Sequence, residues 1–548
     1  MPVIVKGVGP TDAKVMIIGE HPYVDEERKG VPFSGSTGQE LTKMLHEAGI
    51  AQTECYLTYV YKSRPFRNDF KNLYSKDTPK NREAKPELIA AQAELFAEIR
   101  RVSPSVIIVL GDGALWAVTG ERGITKWRGS LLLDNLPGIT VIPTYDPVQI
   151  MRVWQWRFIA VQDLRRAARQ LTNPVAKPEY DFIIRPSYEQ VVNTLVNLCK
   201  RADDREPLKL SVDIETRTRH IACLGLAWSS LHAICIPFMC VESIEGYFTE
   251  EEELHIIQLL GQLLTHPNVR VIGQNFLYDL QYICKHWGFI VEVWMDTMIA
   301  QAVCWPGMQK ALDFISSMYC EYHVYWKDDS KDWAPDLGEE QLWIYNCVDC
   351  VTTYECSGVL SGLITKLDLV EPYEFEMSLV APLLRMMLRG VKIDLKRRDE
   401  MMWELQDALQ ERAEWFTSLD VAGGLQLVKS KTAKAWYDSP TQQSKLFYGH
   451  YGVPMVRKRG TGRPTSDDEA LKIIAQKEPL LAPVCDVLAE YRSLGVFLNT
   501  FVRAPLDHDK RMRCSYNPVG TETFRFNSKA DAFGFGTNLQ NIPKGGEK

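Results

Sequence analysis

The 548-residue sequence contains no uninterrupted apolar run long enough to cross a bilayer, although 45% of it is hydrophobic. No membrane-spanning helix is therefore expected. Its opening residues, MPVIVKGVGPTDAK, lack the apolar core of a secretory signal, and the chain is expected to stay in the cytoplasm where it is made. A cysteine framework is missing too: 13 cysteines, an odd number, are scattered without regular spacing. That excludes a disulfide scaffold and suits reduced thiols. The one CxxC pair, Cys347 and Cys350, has no second pair at zinc spacing and reads as two helix thiols. No repeat recurs at solenoid periods. An excess of positive charge is absent as well. The net charge of -7 does not decide for or against nucleic acid, which is gripped by local patches of Lys and Arg.

What is present points to roughly three or four domains, since the chain is too long for one core. Short apolar strands alternate with helical patterns in AKVMIIGE, GQELTKMLHEAGI, TECYLTYVY, ELIAAQAELFAEIRRV, SVIIVLG and ITVIPTYDP, the signature of an α/β layer with a mostly parallel sheet. This first unit closes near Gln170. Residues 171–207, with their prolines, read as a linker. A second α/β unit, 208–365, opens with the meander LKLSVDIET, CLGLAWS and HAICIPF and continues in helices. From 366 to 548 the pattern is mostly helical, with Gly390 as a helix stop and an irregular polar end.

In LKLSVDIETRT the side chains of Asp213 and Glu215 leave a strand on the same face, and burying two like charges together is costly. In VIGQNFLYDLQYICKHW, Asn275 and Asp279 stand four apart, so on a helix they share a face; Tyr345 and Asp349 repeat that relation in QLWIYNCVDCVTTYE. Four acids, Asp213, Glu215, Asp279 and Asp349, thus come with a tyrosine one turn before the last. Divalent cations would neutralise them. Hard oxygen ligands suit Mg2+ or Mn2+, and two such ions about 3.5 to 4 Å apart can activate water and stabilise a leaving oxygen in phosphodiester hydrolysis.

VDIET, NFLYD and YNCVD resemble the three motifs of the DEDDy 3′-5′ proofreading exonuclease domain of family A DNA polymerases, and DTMIAQAV at Asp296 resembles the strand and helix that follow the second motif. The resemblance implies a ribonuclease H-like fold, two metal ions, single-stranded DNA 3′ ends as substrate, and catalytic roles for Asp213, Glu215, Asp279, Tyr345 and Asp349. It also implies a DNA contact for Asn275.

Downstream, EFEMSLVAPLLRMMLRGVKID, SPTQQSKLFYGHYGVP, RPTSDDEALKII and LAEYRSL resemble, in order, the thumb of the same family. Arg457, Lys458, Arg459 and Arg463 form a compact basic loop, RKRGTGR, suited to the phosphates of primer-template DNA. GTETFRFNS and NLQNIP resemble the lead into the palm and imply DNA contacts for Arg525, Asn538 and Gln540. A glycine of the family pattern is replaced by Phe524, between Thr523 and Arg525. In this family the nucleotidyl-transfer carboxylates lie beyond NLQNIP. The chain alone is expected not to polymerise, its palm and fingers coming as a separate chain or from an interrupted gene.

Residues 14–165 resemble a family 4 uracil-DNA glycosylase, an α/β/α sandwich, through GEHPYVDE, GVPFSGSTGQEL, LTYVYKSRPFRN, VIIVLGDGAL, WRG and PTYDP. A glycosylase extrudes a base, stacks it, reads its edge and stabilises developing charge. The resemblance assigns the pocket to Glu20, Phe33, Tyr59 and Asp146, Phe33 being the stacking ring. Tyr59 stands where the family has Asn, and Asp146 where it has His, and an anionic Asp146 would oppose charge on the departing base. Ser63 replaces a cluster cysteine and no Cys precedes Cys55, so no iron-sulfur cluster is expected. The reading is a pocket that has lost its chemistry on a domain kept for DNA contact or docking. In its loop, Lys62, Arg64, Arg67, Lys71, Lys76, Lys80 and Arg82 alternate with Phe66, Phe70 and Tyr74, a mixture suited to single strands.

The expected whole is thus an α/β multidomain protein, the N-terminal part of a phage family A polymerase working in a bacterial host. The alternatives are a DNA-binding assembly subunit without catalysis, and a repair enzyme that removes uracil and then trims.

Overall fold

The computed structural model describes residues 3–78, 81–328, 338–419, 435–459 and 461–543. The chain forms two compact units, Met1–Ala381 with Pro518–Arg525, and Pro382–Asn517 with Phe526–Lys548. Among the described residues no helix is long and apolar enough to cross a membrane.

The first sheet of the larger unit arises from the expected apolar segments. Its elements are β1 (Val15–Gly19), α1 (Ser36–Glu47), β2 (Cys55–Tyr59), α2 (Pro86–Val102), β3 (Val106–Leu110), β4 (Leu132–Leu136), β5 (Ile139–Thr144) and α3 (Trp156–Thr172). The strand order is β2-β1-β3-β5-β4, parallel except for β4. Every residue of β1 and β3 is buried, as the central strands of a covered parallel sheet must be.

A second sheet in the same unit holds β6 (Asp181–Ile183), β7 (Leu208–Arg217), β8 (His220–Ala227), β9 (His232–Pro237), β10 (Val269–Gly273) and β11 (Val293–Asp296), in the order β11-β10-β7-β8-β9-β6. The meander β7-β8-β9 is antiparallel, while β10 and β11 continue from β7 in parallel. The stretch expected to be a linker is partly built into this domain. Strand β6 pairs with β9 as the sheet edge, and α4 (Tyr188–Ala202) buries Val191, Leu195 and Leu198. Ser187 caps α4 with a reciprocal capping box to Gln190, which fixes its start. The helices that follow are α5 (Glu250–Leu264), α6 (Leu277–Trp287), α7 (Thr297–Cys304), α8 (Leu312–Tyr319) and α9 (Glu340–Lys366).

The smaller unit is mostly helical, as expected, with α10 (Val380–Arg389), α11 (Leu395–Ser418), α12 (Asp468–Lys477) and α13 (Ala482–Phe497). Phe416, Trp436, Phe447, Leu471, Ile474 and Leu488 share its main core. Gly390 does stop α10: its φ is +60°, and a Cβ there would lie 2.7 Å from the Met512 carbonyl oxygen. Both facts demand glycine.

Candidate active site: a carboxylate cluster

Strand β7 turns Asp213 and Glu215 to one face, and α9 lies across that face bearing Asp349. Oxygens of these three carboxylates lie within 4.8 Å of one another; among the described residues they are the one such group able to hold a metal ion. The helix can approach because β8 places Gly225 opposite Asp213. A Cβ at Gly225 would sit 2.5 Å from Asn346 Oδ1 and 2.6 Å from Cys350 Sγ. Asn346, wholly buried on α9, donates from Nδ2 to Asp213 Oδ2 at 2.8 Å. Neither Gly225 nor Asn346 carries a sequence signal, because their role is defined by the packing of a strand and a helix distant in the chain.

Burial raises the Asp213 carboxyl from 3.8 to about 7; the Asp349 charge adds to this, and Lys327 and Asn346 oppose it. Glu215 is pushed well above its ordinary value by burial, then by Asp213 and Asp349. Asp279 is also pushed up, by burial and then by Asp213. Such a cluster stays ionised when cations enter it. Its all-carboxylate donors are hard oxygens, close enough together to hold a divalent cation.

Asp279 stands beside the trio, in the first turn of α6, and its Oδ1 accepts the N–H of Ile214 at 3.0 Å. Asn275 does not share its helical face, contrary to the spacing argument. Asn275 precedes α6 with φ of +55°. The cause is Asp296, whose carboxylate accepts the N–H groups of Asn275 (3.1 Å) and Phe276 (2.8 Å) while also capping α7 at Met298 (2.8 Å). Asn tolerates this left-handed geometry better than most residues. Tyr345 and Asp349 do lie one turn apart on α9, both buried.

Two further side chains reach the cluster from the segment after α8. Trp326 Nε1 donates to Asp349 Oδ1 at 2.6 Å. Lys327 Nζ donates to the Tyr345 hydroxyl at 2.8 Å and pairs closely with Asp349 Oδ2. Burial raises the Tyr345 hydroxyl, and the Asp349 charge raises it further. Cys347 and Cys350 pack among Cys223, Ala227 and Trp343, with burial raising both thiols.

In the N-terminal domain Phe33 is buried against Tyr59, with ring centroids 4.7 Å apart, and its N–H donates to the Tyr59 hydroxyl at 2.9 Å. The two rings pack onto Gly19, where a Cβ would come within 2.9 Å of both. A cavity of about 700 Å³ in the same domain is lined by Glu20, His21, Tyr23, Glu26, Asp146 and Arg152 among others, and not by Phe33 or Tyr59. Burial, with the Asp146 charge, raises Glu20 to about 8, and burial raises Asp146 to about 6. Asp146 Oδ1 accepts the Val148 N–H at 2.7 Å as a helix cap.

The basic loop of this domain is less open than its composition implies. Lys62 turns inward to Glu98 at 2.7 Å and Thr58 at 2.9 Å, because the half-buried Glu98 carboxylate requires a cation. Arg64 pairs with Glu27 at 2.8 Å. Phe70 and Tyr74 are core residues, Arg82 stacks on Tyr74 at 4.7 Å, and Lys80 lies outside the described residues. Arg67 and Phe66 remain exposed. In the smaller unit Arg457, Lys458, Arg459 and Arg463 are exposed on a tight turn closed by Lys458 N–H to the Arg463 carbonyl at 2.8 Å. Arg525 is exposed. Asn538 and Gln540 hold their own fold: Asn538 Oδ1 accepts from Ser528 Oγ at 2.5 Å, and Gln540 donates to the Phe526 carbonyl at 3.0 Å.

Comparison with known proteins matches this layout. A family model described as "Uracil DNA glycosylase superfamily" matches residues 6–171, and one described as "3'-5' exonuclease" matches residues 191–364. A DNA polymerase of Bacillus phage SP01 is 23% identical over 98% of this chain, which spans 64% of that protein's length. A type-4 uracil-DNA glycosylase of Thermotoga maritima is 36% identical over 30% of the chain and 81% of its own length. DNA polymerase I of Synechocystis is 26% identical over 58% of the chain and 31% of its own length. The chain therefore joins a domain of the uracil DNA glycosylase superfamily to a 3′-5′ exonuclease domain, and it is similar along nearly its whole length to a phage DNA polymerase and over 58% of it to a DNA polymerase I.

Proposed function

We propose that this protein removes nucleotides from DNA 3′ ends as the proofreading part of a replicative polymerase, using Mg2+ or Mn2+ as a pair of ions. The single observation that carries the reading is the convergence of Asp213, Glu215 and Asp349 within 4.8 Å, in a domain matched as a 3′-5′ exonuclease. When bound, such ions supply a water made acidic enough to attack and screen the departing oxygen. Asp213, Glu215 and Asp349 are the residues to hold them, with Asp279 behind. Asn346 fixes the Asp213 carboxylate. Tyr345 accepts from Lys327 and so has its own O–H to donate, which suits it to orient the attacking water. Asn275 is exposed just before α6, suited to contact the substrate strand.

In this reading the smaller unit is the thumb, and its exposed turn of Arg457, Lys458, Arg459 and Arg463 takes duplex phosphates, with Arg525 as a further contact. Residues Asn538 and Gln540 support that region through its own fold. The chain spans 64% of the length of the phage polymerase it matches, and in this reading palm and fingers are supplied by a separate chain. Likeness to that phage protein supports a phage protein acting in a bacterial host cell. The N-terminal domain serves as a docking and scaffold module and not as a glycosylase, because Tyr59 packs onto the Phe33 ring that would stack a base.

The test is 5′-labelled single-stranded DNA with Mg2+. Progressive shortening from the 3′ end is expected, abolished by chelation and lowered about 10³-fold, or ~4 kcal/mol, by Asp213→Ala or Asp349→Ala. Equal shortening by the wild type and both variants would overturn the reading. Abasic sites formed in a uracil-containing oligonucleotide would overturn the assignment of the N-terminal domain.

A further inference from the structure

The segment that delivers Trp326 and Lys327 to the carboxylates is fastened at its other end to the glycosylase-like domain. Arg128, wholly buried in the loop before β4, pairs with Asp163 of α3 and donates to Ser317 Oγ of α8 at 2.6 Å. Arg166 of α3 donates to the carbonyl oxygens of Ser317 (3.0 Å) and Cys320 (2.8 Å). Beyond α8 the backbone continues the attachment. Leu131 N–H donates to the His323 carbonyl at 2.7 Å, and Tyr325 N–H donates to Ser130 Oγ at 3.2 Å. Two residues later the chain is in the exonuclease site. There both oxygens of Asp349 are engaged, Oδ1 by Trp326 and Oδ2 by Lys327.

We propose that residues 323–327 form a strap, anchored by the glycosylase-like domain, that makes Lys327 a positioning residue of the exonuclease site: its ammonium holds Asp349 and Tyr345 together and is a tethered cation that a divalent ion displaces from Asp349. This rests on the metal-dependent reading above. The physical case is one of charge and place. Three carboxylates gathered within 4.8 Å need positive charge, and the strap supplies one unit of it at the carboxylate brought in by α9. An arriving ion takes that oxygen, whereas the contact with the Tyr345 hydroxyl, which is not a metal ligand, is kept. Family resemblance gives this segment no role, since Trp326 and Lys327 lie outside all three motifs. The inference also gives the glycosylase-like domain work that needs no base pocket.

The experiment measures Mn2+ binding to the full chain without DNA, by the free-ion electron paramagnetic resonance signal. Asp213→Asn/Asp349→Asn is the baseline for sites elsewhere. Lys327→Met is expected to bind at the cluster about tenfold more tightly than wild type, the factor that follows if the ammonium occupies Asp349 in about nine molecules of ten. Lys327→Arg, which keeps the charge, is expected to resemble wild type. Ser130→Ala, which loosens the strap at its anchor, shifts affinity in the direction of Lys327→Met, and at saturating Mn2+ Lys327→Met still shortens DNA more slowly because Tyr345 has lost its partner. Lys327→Gln replaces the Met variant if that one does not fold. Unchanged or weaker binding in the neutral variant, or an Arg variant that behaves like it, overturns the proposal. A wild type whose binding equals the baseline overturns the metal-centre reading itself.

Discussion

Gly225→Ala tests the packing that assembles the candidate site. The added Cβ would lie 2.5 Å from Asn346 Oδ1 and 2.6 Å from Cys350 Sγ, whereas ordinary van der Waals contact begins near 3.4 Å. Closing that gap requires α9 to retreat from β8 by several tenths of an ångström up to about 1 Å. Overpacking of this kind costs about 1–3 kcal/mol of stability. The retreat also carries Asn346 and Asp349 away from Asp213, and a displacement near 1 Å in a catalytic constellation costs about 10²-fold in rate. The assay is shortening of 5′-labelled single-stranded DNA at saturating Mg2+, beside thermal melting. The account predicts a folded variant, melting lower, with exonuclease reduced about 10²-fold. Wild-type rate and melting together would refute the claim that the glycine sets the helix-to-sheet distance.

Three other outcomes follow from the same physical reading. Glu20 is raised from 4.5 to about 8, so folding takes up a proton there; its contribution is fully present below about pH 4.5 and is lost as pH rises through 8. Glu20→Gln, which keeps an acceptor for the Gly113 N–H, should therefore flatten the melting-temperature profile over that window by the order of 3 kcal/mol, discounted for partial exposure; an unchanged profile contradicts the assignment. Replacing Arg457, Lys458, Arg459 and Arg463 by Ala should reduce the slope of log affinity against log salt for primer-template duplex by roughly one per lost phosphate contact, with an unaltered slope removing that turn from the interface. Arg128→Met leaves Asp163 buried without its cation and should cost about 3–5 kcal/mol, read by chemical denaturation; a loss under about 1 kcal/mol would show that the pair does not hold α8 against α3.

Much of this architecture is legible in the sequence because two periodicities carry it. The buried pentads of β1 and β3 announce a parallel sheet, the alternation in β7 pairs Asp213 with Glu215, and the four-residue step in α9 pairs Tyr345 with Asp349. The same rule misplaces Asn275, since Asp296, 21 residues away, bends the chain just before α6. Strand β6 is too short to show a period, and its identity depends on pairing with β9, so the segment reads as linker. The basic and aromatic loop near Arg67 has a composition but no face: only tertiary packing decides that Phe70, Tyr74 and Lys62 turn inward. Lys327, Trp326, Asn346 and Gly225 belong to the site through contacts between distant segments, which no local spacing encodes.

Diffraction from crystals of the full chain grown with Mn2+ and a short single-stranded oligonucleotide, recorded with manganese anomalous scattering, tests the central claim most directly. The account predicts an anomalous peak among Asp213, Glu215 and Asp349, at carboxylate distances of about 2.1 Å, with the 3′ end of the strand at that ion. Manganese bound elsewhere, with those three carboxylates unliganded beside a bound strand, would contradict it.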